Sequence, residues 1–174
     1  EYAANHYGCF VTGISLSKEQ LAYANARIKD TPANAKVNFQ FKDYRDLSGT
    51  YDAIVSVEML EAVGEEWWPT YFHKVASCLR KGGKAAIQTI TIATERFDDY
   101  RSNTDFIQQY IFPGGMLPSP QRLYQETSNA HLTINNYLSF GLDYAETLKQ
   151  WRHSFDDKLP EVRAQGFDEA FIRL

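Results

Sequence analysis

With 174 residues, of which 44 % are apolar and 14 % aromatic, the chain is bounded to one compact domain and excluded from the disordered and fibrous classes. Eighteen Lys and Arg against 22 Asp and Glu give a formal charge of −4, so no basic excess is available for the phosphates of a duplex and nucleic acid is not an expected partner. Two cysteines, Cys9 and Cys78, are too few for a disulfide framework, and no apolar run reaches the roughly 18 to 20 residues of a spanning helix. The expectation is therefore a cytoplasmic protein with both thiols in its core, meeting a membrane peripherally.

The chain begins at Glu1, its two methionines (Met59 and Met116) are internal, and residues 169–174 read as a helix in progress. Both ends read as cut from a longer protein. In chain order, residues 10–14 after Gly8 have the β-branched and aromatic pattern of a buried strand. Ser17 with Gln20 three residues on matches a capping box, and Leu21, Ala24 and Ile28 continue at helical spacing until Pro32. Val37, Phe39 and Phe41 alternate as a second strand, and residues 53–57 form a third. Trp68, Phe72, Val75, Ala76 and Leu79 share one helical stripe, which Gly82 and Gly83 are expected to cap. Residues 84–90 then make a fourth strand.

This alternation predicts an α/β domain over residues 1–174, a parallel sheet wound through right-handed crossovers. Beyond it, residues 94–120 carry an apolar helix broken by Pro113, Gly114, Gly115 and Pro118, the pattern of a lid or pocket wall. Ser119 and Pro120 open another helix to about Asn129, residues 132–140 read as a strand, and Tyr144, Leu148, Trp151 and Phe155 stripe a final long helix.

Open α/β sheets bind ligands at the carboxyl ends of their strands, which directs attention to the residues just after each strand. These are Ser15, Leu16 and Gln20; Asp43, Tyr44 and Arg45; Glu58 and Glu61; and Gln88 and Ile90. The ten glycines contain no G-x-G, so no phosphate-cradling loop is present. A cofactor with an adenosine but no diphosphate would need a polar group for its ribose and an aromatic face beside an acceptor for its adenine. Gln20 suits the first and Asp43 with Tyr44 the second. His6, His73, His131 and His153 have no mutual spacing for a triad or a metal site.

Five blocks carry a resemblance: Gly-Ile-Ser-Leu-Ser-Lys-Glu-Gln at 13–20, Asp-Tyr-Arg-Asp at 43–46, Asp-Ala-Ile-Val-Ser-Val-Glu-Met-Leu-Glu-Ala-Val-Gly at 52–64, Tyr-Ile-Phe-Pro-Gly-Gly-Met-Leu-Pro-Ser at 110–119 and Phe-Gly-Leu-Asp-Tyr-Ala-Glu-Thr-Leu at 140–148. Together they resemble the cyclopropane-fatty-acyl-phospholipid synthase and mycolic acid cyclopropane synthase family of S-adenosylmethionine-dependent enzymes. The resemblance implies a Rossmann-like class I methyltransferase fold, incomplete here because the family's first and last strands would lie outside these residues. It implies that Ser15, Leu16 and Gln20 line the ribose and methionine side of S-adenosylmethionine, with Asp43, Tyr44 and Arg45 against adenine. It further implies a bicarbonate ion held by Glu61, Gln88, the Ile90 backbone carbonyl and Tyr144. Gln88 and Ala62 depart from the histidines that many members carry there.

The chemistry implied is transfer of a methylene from the sulfonium to the cis double bond of an unsaturated phospholipid acyl chain, reached from the cytoplasmic face, with homodimerisation left open. A base must collect the proton released on ring closure, and Tyr110, Phe112 or Phe140 could stabilise the passing cation by about 0.5 to 2 kcal/mol per contact. Three alternatives stand beside this one: a relative that stops at a methyl- or methylene-branched chain, a soluble small-molecule methyltransferase, and a truncated module without activity. At the residue level, Gln20 could equally serve only its capping box, and Tyr144 only the core stripe of its helix.

Overall fold

The computed structural model describes residues 1–174. In chain order the elements are α1 (Tyr2–Tyr7), β1 (Val11–Ser15), α2 (Lys18–Ile28), β2 (Val37–Phe41), β3 (Tyr51–Val57), α3 (Trp68–Cys78), β4 (Leu79–Gln88), α4 (Phe97–Ser102), α5 (Pro120–Asn129), α6 (Gly141–Asp157), α7 (Leu159–Ala164) and α8 (Glu169–Arg173). Short 3-10 turns fill several connections, and Ile107–Ile111 is a π-helical turn. The expected alternation is present as two parallel pairs. Val11 to Ser15 of β1 lie opposite Val37 to Phe41 of β2, and β3 pairs with β4. Each pair forms its own two-stranded sheet.

Ser17 caps α2 from extended backbone, its hydroxyl accepting from the Gln20 N–H at 3.1 Å. The rest of the capping box does not close as expected. Ser15 Oγ accepts from the Ser17 N–H and donates to Gln20 Oε1 at 2.8 Å, so the Gln20 side chain is held at the end of β1. Ser119 caps α5 in the expected way, accepting from the Arg122 N–H, with Pro120 in the first turn.

Gly82 and Gly83 do not cap α3, because that helix ends at Cys78 and β4 begins at once. The register with β3 jumps from Tyr51 opposite Leu79 to Ala53 opposite Lys84, so residues 80–83 bulge opposite Asp52. Gly82 turns the bulge at φ 78, and a Cβ on Gly83 would meet the carbonyl oxygens of Arg80 at 2.9 Å and Asp52 at 3.1 Å. Backbone cannot retreat as a flexible side chain can. Gly83→Ala is therefore expected to destabilise the fold by about 1 to 3 kcal/mol, read as a lower denaturant midpoint.

The core lies where α3 packs between the β3–β4 sheet and α5. Leu60, Trp68, Tyr71, Phe72, Val75, Phe97 and Ala130 form one buried cluster, with Ile54, Ile87 and Leu123 packed at its edge. The predicted stripe of α3 is thus the main core face. Cys78 joins the buried residues, but Cys9 is exposed in the turn between α1 and β1, contrary to expectation.

Two further expectations fail for the same reason. Residues 132–140 have an alternating pattern but no strand, since β4 pairs only with β3 and nothing offers them a ladder. In α6 the stripe of Tyr144, Leu148, Trp151 and Phe155 forms at helical spacing, yet no residue of that helix is buried and Trp151 is 61 % exposed. An apolar pattern needs a facing surface before it becomes core.

Candidate functional site

The carboxyl ends of all four strands carry the residues singled out from sequence. At β1, Ser15 and Gln20 are hydrogen-bonded to each other and Leu16 is exposed beside them. At β2, Asp43 begins a 3-10 turn and its carboxylate accepts from the Arg45 backbone N–H at 2.8 Å and from the Arg45 guanidinium at 3.0 and 2.8 Å. These bonds to Arg45 hold the Asp43 carboxyl below its ordinary range. Arg45 also lies over the Trp67 ring, 5.4 Å from its centroid. The Tyr44 ring is half-buried, and burial pushes its phenol up.

Tyr71 links this side to the next. Its ring meets Tyr44 edge-on at 5.7 Å, and its hydroxyl donates to Ser56 Oγ at 2.7 Å near the end of β3. Tyr71, buried on α3 and not singled out from sequence, thus ties two strand ends together.

On the β3–β4 side, Glu61 sits on a 3-10 turn and is 5 % exposed. Its Oε1 accepts from the Ile90 N–H at 2.6 Å and from Thr89 Oγ1 at 2.9 Å, while its Oε2 is buried without a partner. Ile90 meets Glu61 through its N–H, and its carbonyl accepts from Thr89 Oγ1 at 3.3 Å.

Gln88 turns to a different carboxylate. Its Nε2 donates to Glu58 Oε1 at 3.0 Å, and the Glu58 N–H donates to the Gln88 carbonyl at 2.9 Å. Glu58 holds φ at +50, a region that residues other than glycine seldom occupy. Tyr144, reaching in from α6, has its phenol pushed up first by a hydrogen bond to Glu58, then by burial, then by the charges of Glu58 and Glu61. Glu61, Gln88, Ile90 and Tyr144 therefore do converge, around two carboxylates instead of one. Sequence reasoning placed both Glu58 and Glu61 after the third strand and gave a role only to Glu61, because residue order does not announce a positive φ at a strand end.

Glu58, Gln88, Thr89, Ile90, Phe140 and Tyr144 lie at one end of an open space that follows the unpaired edge of β4. Phe140 is on its wall, whereas Tyr110 and Phe112 are not. Residues 94–120 are fastened to the same place: the Met116 N–H donates to the Glu61 carbonyl at 2.9 Å and the Ile92 N–H to the Pro118 carbonyl at 3.1 Å. Where the sequence pattern suggests a lid, the chain leaves and returns at the acidic cluster.

Comparison with known proteins gives a consistent picture. The family model described as mycolic acid cyclopropane synthetase matches residues 1–174. The tuberculostearic acid methyltransferase UfaA1 of Mycobacterium tuberculosis is 40 % identical over 168 residues, covering 96 % of this chain and 39 % of that protein. The cyclopropane-fatty-acyl-phospholipid synthase of Escherichia coli K12 is 36 % identical over 174 residues, covering 99 % of this chain and 43 % of that protein. The chain thus spans about two fifths of the length of these relatives. Among solved structures, the cyclopropane synthase MmaA2 from Mycobacterium tuberculosis superposes with a TM-score of 0.88 at 23 % identity, over 98 % of this chain and 63 % of that one. The mycolic acid cyclopropane synthase CmaA1 complexed with SAH and CTAB gives 0.86 at 22 % identity, over 99 % and 64 %.

Proposed function

The chain belongs to the mycolic acid cyclopropane synthetase family and carries part of the Rossmann-like class I methyltransferase fold, and on that premise we propose that the protein modifies unsaturated acyl chains with carbon from S-adenosylmethionine. The observation that carries this reading is the convergence of Glu58, Glu61 and Tyr144 at the carboxyl edge of a parallel pair, with Phe140 beside them. The cofactor supplies an electrophilic sulfonium carbon. Ser15, Leu16 and Gln20 form its ribose and methionine side, and Tyr44 with Asp43 and Arg45 its adenine side. Because Arg45 fixes the Asp43 carboxylate by three hydrogen bonds, that acceptor is preorganised.

Gln20 has a side-chain amide free to donate while its oxygen accepts from Ser15. Gln20→Ala is expected to weaken cofactor binding by about 1 kcal/mol, roughly fivefold in Kd, with the helix still capped by Ser17. Calorimetric titration with S-adenosylhomocysteine measures it, and an unchanged Kd removes Gln20 from the ribose.

The substrate we propose is a phospholipid acyl chain met peripherally at the cytoplasmic face of the membrane. No helix is long and apolar enough to cross a membrane. Residues 94–120 act as the lid of the lipid pocket, and exposed Phe106, Ile107, Tyr110, Ile111 and Phe112 supply the apolar surface that a lipid contact needs. Ring closure to a cyclopropane is the first reading. A methyl- or methylene-branched product is the second, favoured by the identity to a relative named a tuberculostearic acid methyltransferase. Proton NMR of lipids from cells expressing the full-length protein separates them, through upfield ring signals or through a branched methyl or methylene.

Glu61 Oε2, buried without a partner, is a free acceptor for the hydroxyl of the bicarbonate that the resemblance implies, and Gln88 keeps a second amide hydrogen with which to hold that ion beside Ile90 and Tyr144.

A further inference from the structure

We propose that Thr89 is a positioning residue for the reaction: its hydroxyl, together with the Ile90 N–H, fills one oxygen of the Glu61 carboxylate and leaves the other as the single acceptor that Glu61 presents to the site. The inference rests on the acyl-modifying reading above and adds a residue to it. Glu61 sits on the 3-10 turn after β3, and Thr89 is the first residue beyond β4, so the contact joins two connections 28 residues apart. The backbone of Glu61 is already anchored, because the Met116 N–H donates to its carbonyl at 2.9 Å. What remains to be fixed is the side chain. Both hydrogen bonds that reach its carboxylate go to Oε1, from Thr89 Oγ1 at 2.9 Å and from the Ile90 N–H at 2.6 Å, whereas Oε2 is buried without a partner. Two donors fill the lone pairs of Oε1. A buried oxygen that lacks a donor costs stability, and such an atom is kept where its partner arrives with a ligand.

Thr89 has one hydroxyl proton and two acceptors within reach. The Ile90 carbonyl lies at 3.3 Å, beyond the usual range of an O–H···O bond, while Glu61 Oε1 is nearer and belongs to a carboxylate, so Glu61 takes the main share of that proton. Branching at its Cβ restricts the Thr89 rotamers and keeps the hydroxyl aimed. The Ile90 N–H alone would tether Oε1 and leave the carboxylate free to turn about a single bond. The second donor, from the adjacent residue, removes that turn, so Oε2 keeps one direction before any ligand is bound.

The test uses the full-length protein with S-adenosylmethionine and vesicles of dioleoyl phosphatidylethanolamine and phosphatidylglycerol. Thr89→Val, which keeps the branched shape and removes the hydroxyl, is expected to lower kcat about tenfold with the Kd for S-adenosylhomocysteine unchanged, and Thr89→Ser to restore most of the rate. In a Glu61→Gln background the same Thr89→Val is expected to cost less than about twofold, because the charge it positions is gone. Independently of turnover, the protein is isotope-labelled at its glutamate side-chain carboxyl carbons and followed by carbon NMR. The resonance that disappears in Glu61→Gln is expected to shift in Thr89→Val and to return in Thr89→Ser. Thr89→Val at the wild-type rate overturns the proposal, as does an unmoved Glu61 resonance. Equal losses in the wild-type and Glu61→Gln backgrounds overturn it too, since they would make Thr89 a structural residue of the connection after β4. Absence of any transfer by the wild-type protein overturns the acyl-modifying reading itself, and the Glu61 resonance then decides on Thr89 alone.

Discussion

Glu61→Gln is expected to lower turnover by about 10² to 10³-fold while leaving the melting temperature and the affinity for S-adenosylhomocysteine nearly unchanged. The argument begins with burial. Glu61 is 5 % exposed, and its Oε1 receives two hydrogen bonds from the Thr89 and Ile90 stretch that follows Gln88. Glutamine has the same shape and keeps an acceptor for those donors, so the connection at the end of β4 survives. What is lost is negative charge, held out of water beside the place where positive charge would develop on the acyl chain. Charge stabilisation in such a setting exceeds its value in water, and removing one preorganised electrostatic group commonly costs two to three orders of magnitude in rate. Steady-state kinetics with unsaturated vesicles, paired with cofactor titration, provide the measurement. Equal losses in both would make Glu61 a structural residue only.

Trp68→Ala is expected to cost about 3 to 5 kcal/mol of folding stability, which for a chain of this size corresponds to a fall of roughly 10 °C in melting temperature. Trp68 is 1 % exposed and opens α3 at the centre of the buried cluster. It packs against Phe97 of α4 at 6.3 Å and lies under the Arg122 guanidinium of α5 at 5.8 Å. Arg122 in turn reaches Glu126 at 2.8 Å and Glu65 at 3.6 Å, and Glu65 binds Arg101 at 2.9 Å. One side chain therefore joins the helix that carries Tyr71 to α4, within residues 94–120, and to α5, which follows them. A cavity there loosens the lid region along with the core. A loss below about 1 kcal/mol in thermal or denaturant unfolding would show that the cluster does not depend on this residue.

Much of this arrangement could be read from residue order. The Ser17 and Ser119 caps, the apolar stripe of α3 and the β-branched runs of β1 and β3 are local signals, and local geometry satisfied them. Placing Ser15, Asp43, Glu61 and Gln88 at strand ends followed from the parallel order alone. What could not be read depended on partners distant in sequence. Residues 132–140 alternate like a strand but find no ladder, Gly82 and Gly83 serve a bulge against Asp52 instead of a helix cap, and the apolar face of α6 meets no surface. At the site, Gln88 and Tyr144 were recognised from their motifs, yet the carboxylate they share is Glu58, thirty residues from one and farther from the other. A positive φ and a bond across strands leave no trace in residue order. The same holds for Tyr71, whose hydroxyl reaches Ser56 on a different element.

Carbon transfer to an acyl double bond is tested most directly by isotope. The full-length protein is incubated with S-adenosylmethionine carrying a trideuterated methyl group and with dioleoyl phospholipid vesicles, and the recovered acyl chains are analysed by mass spectrometry. The expected result is acyl chains extended by one carbon that retain deuterium, with one deuteron lost to solvent where the ring has closed. Unlabelled acyl chains together with deuterium in a headgroup or a soluble acceptor would contradict the account.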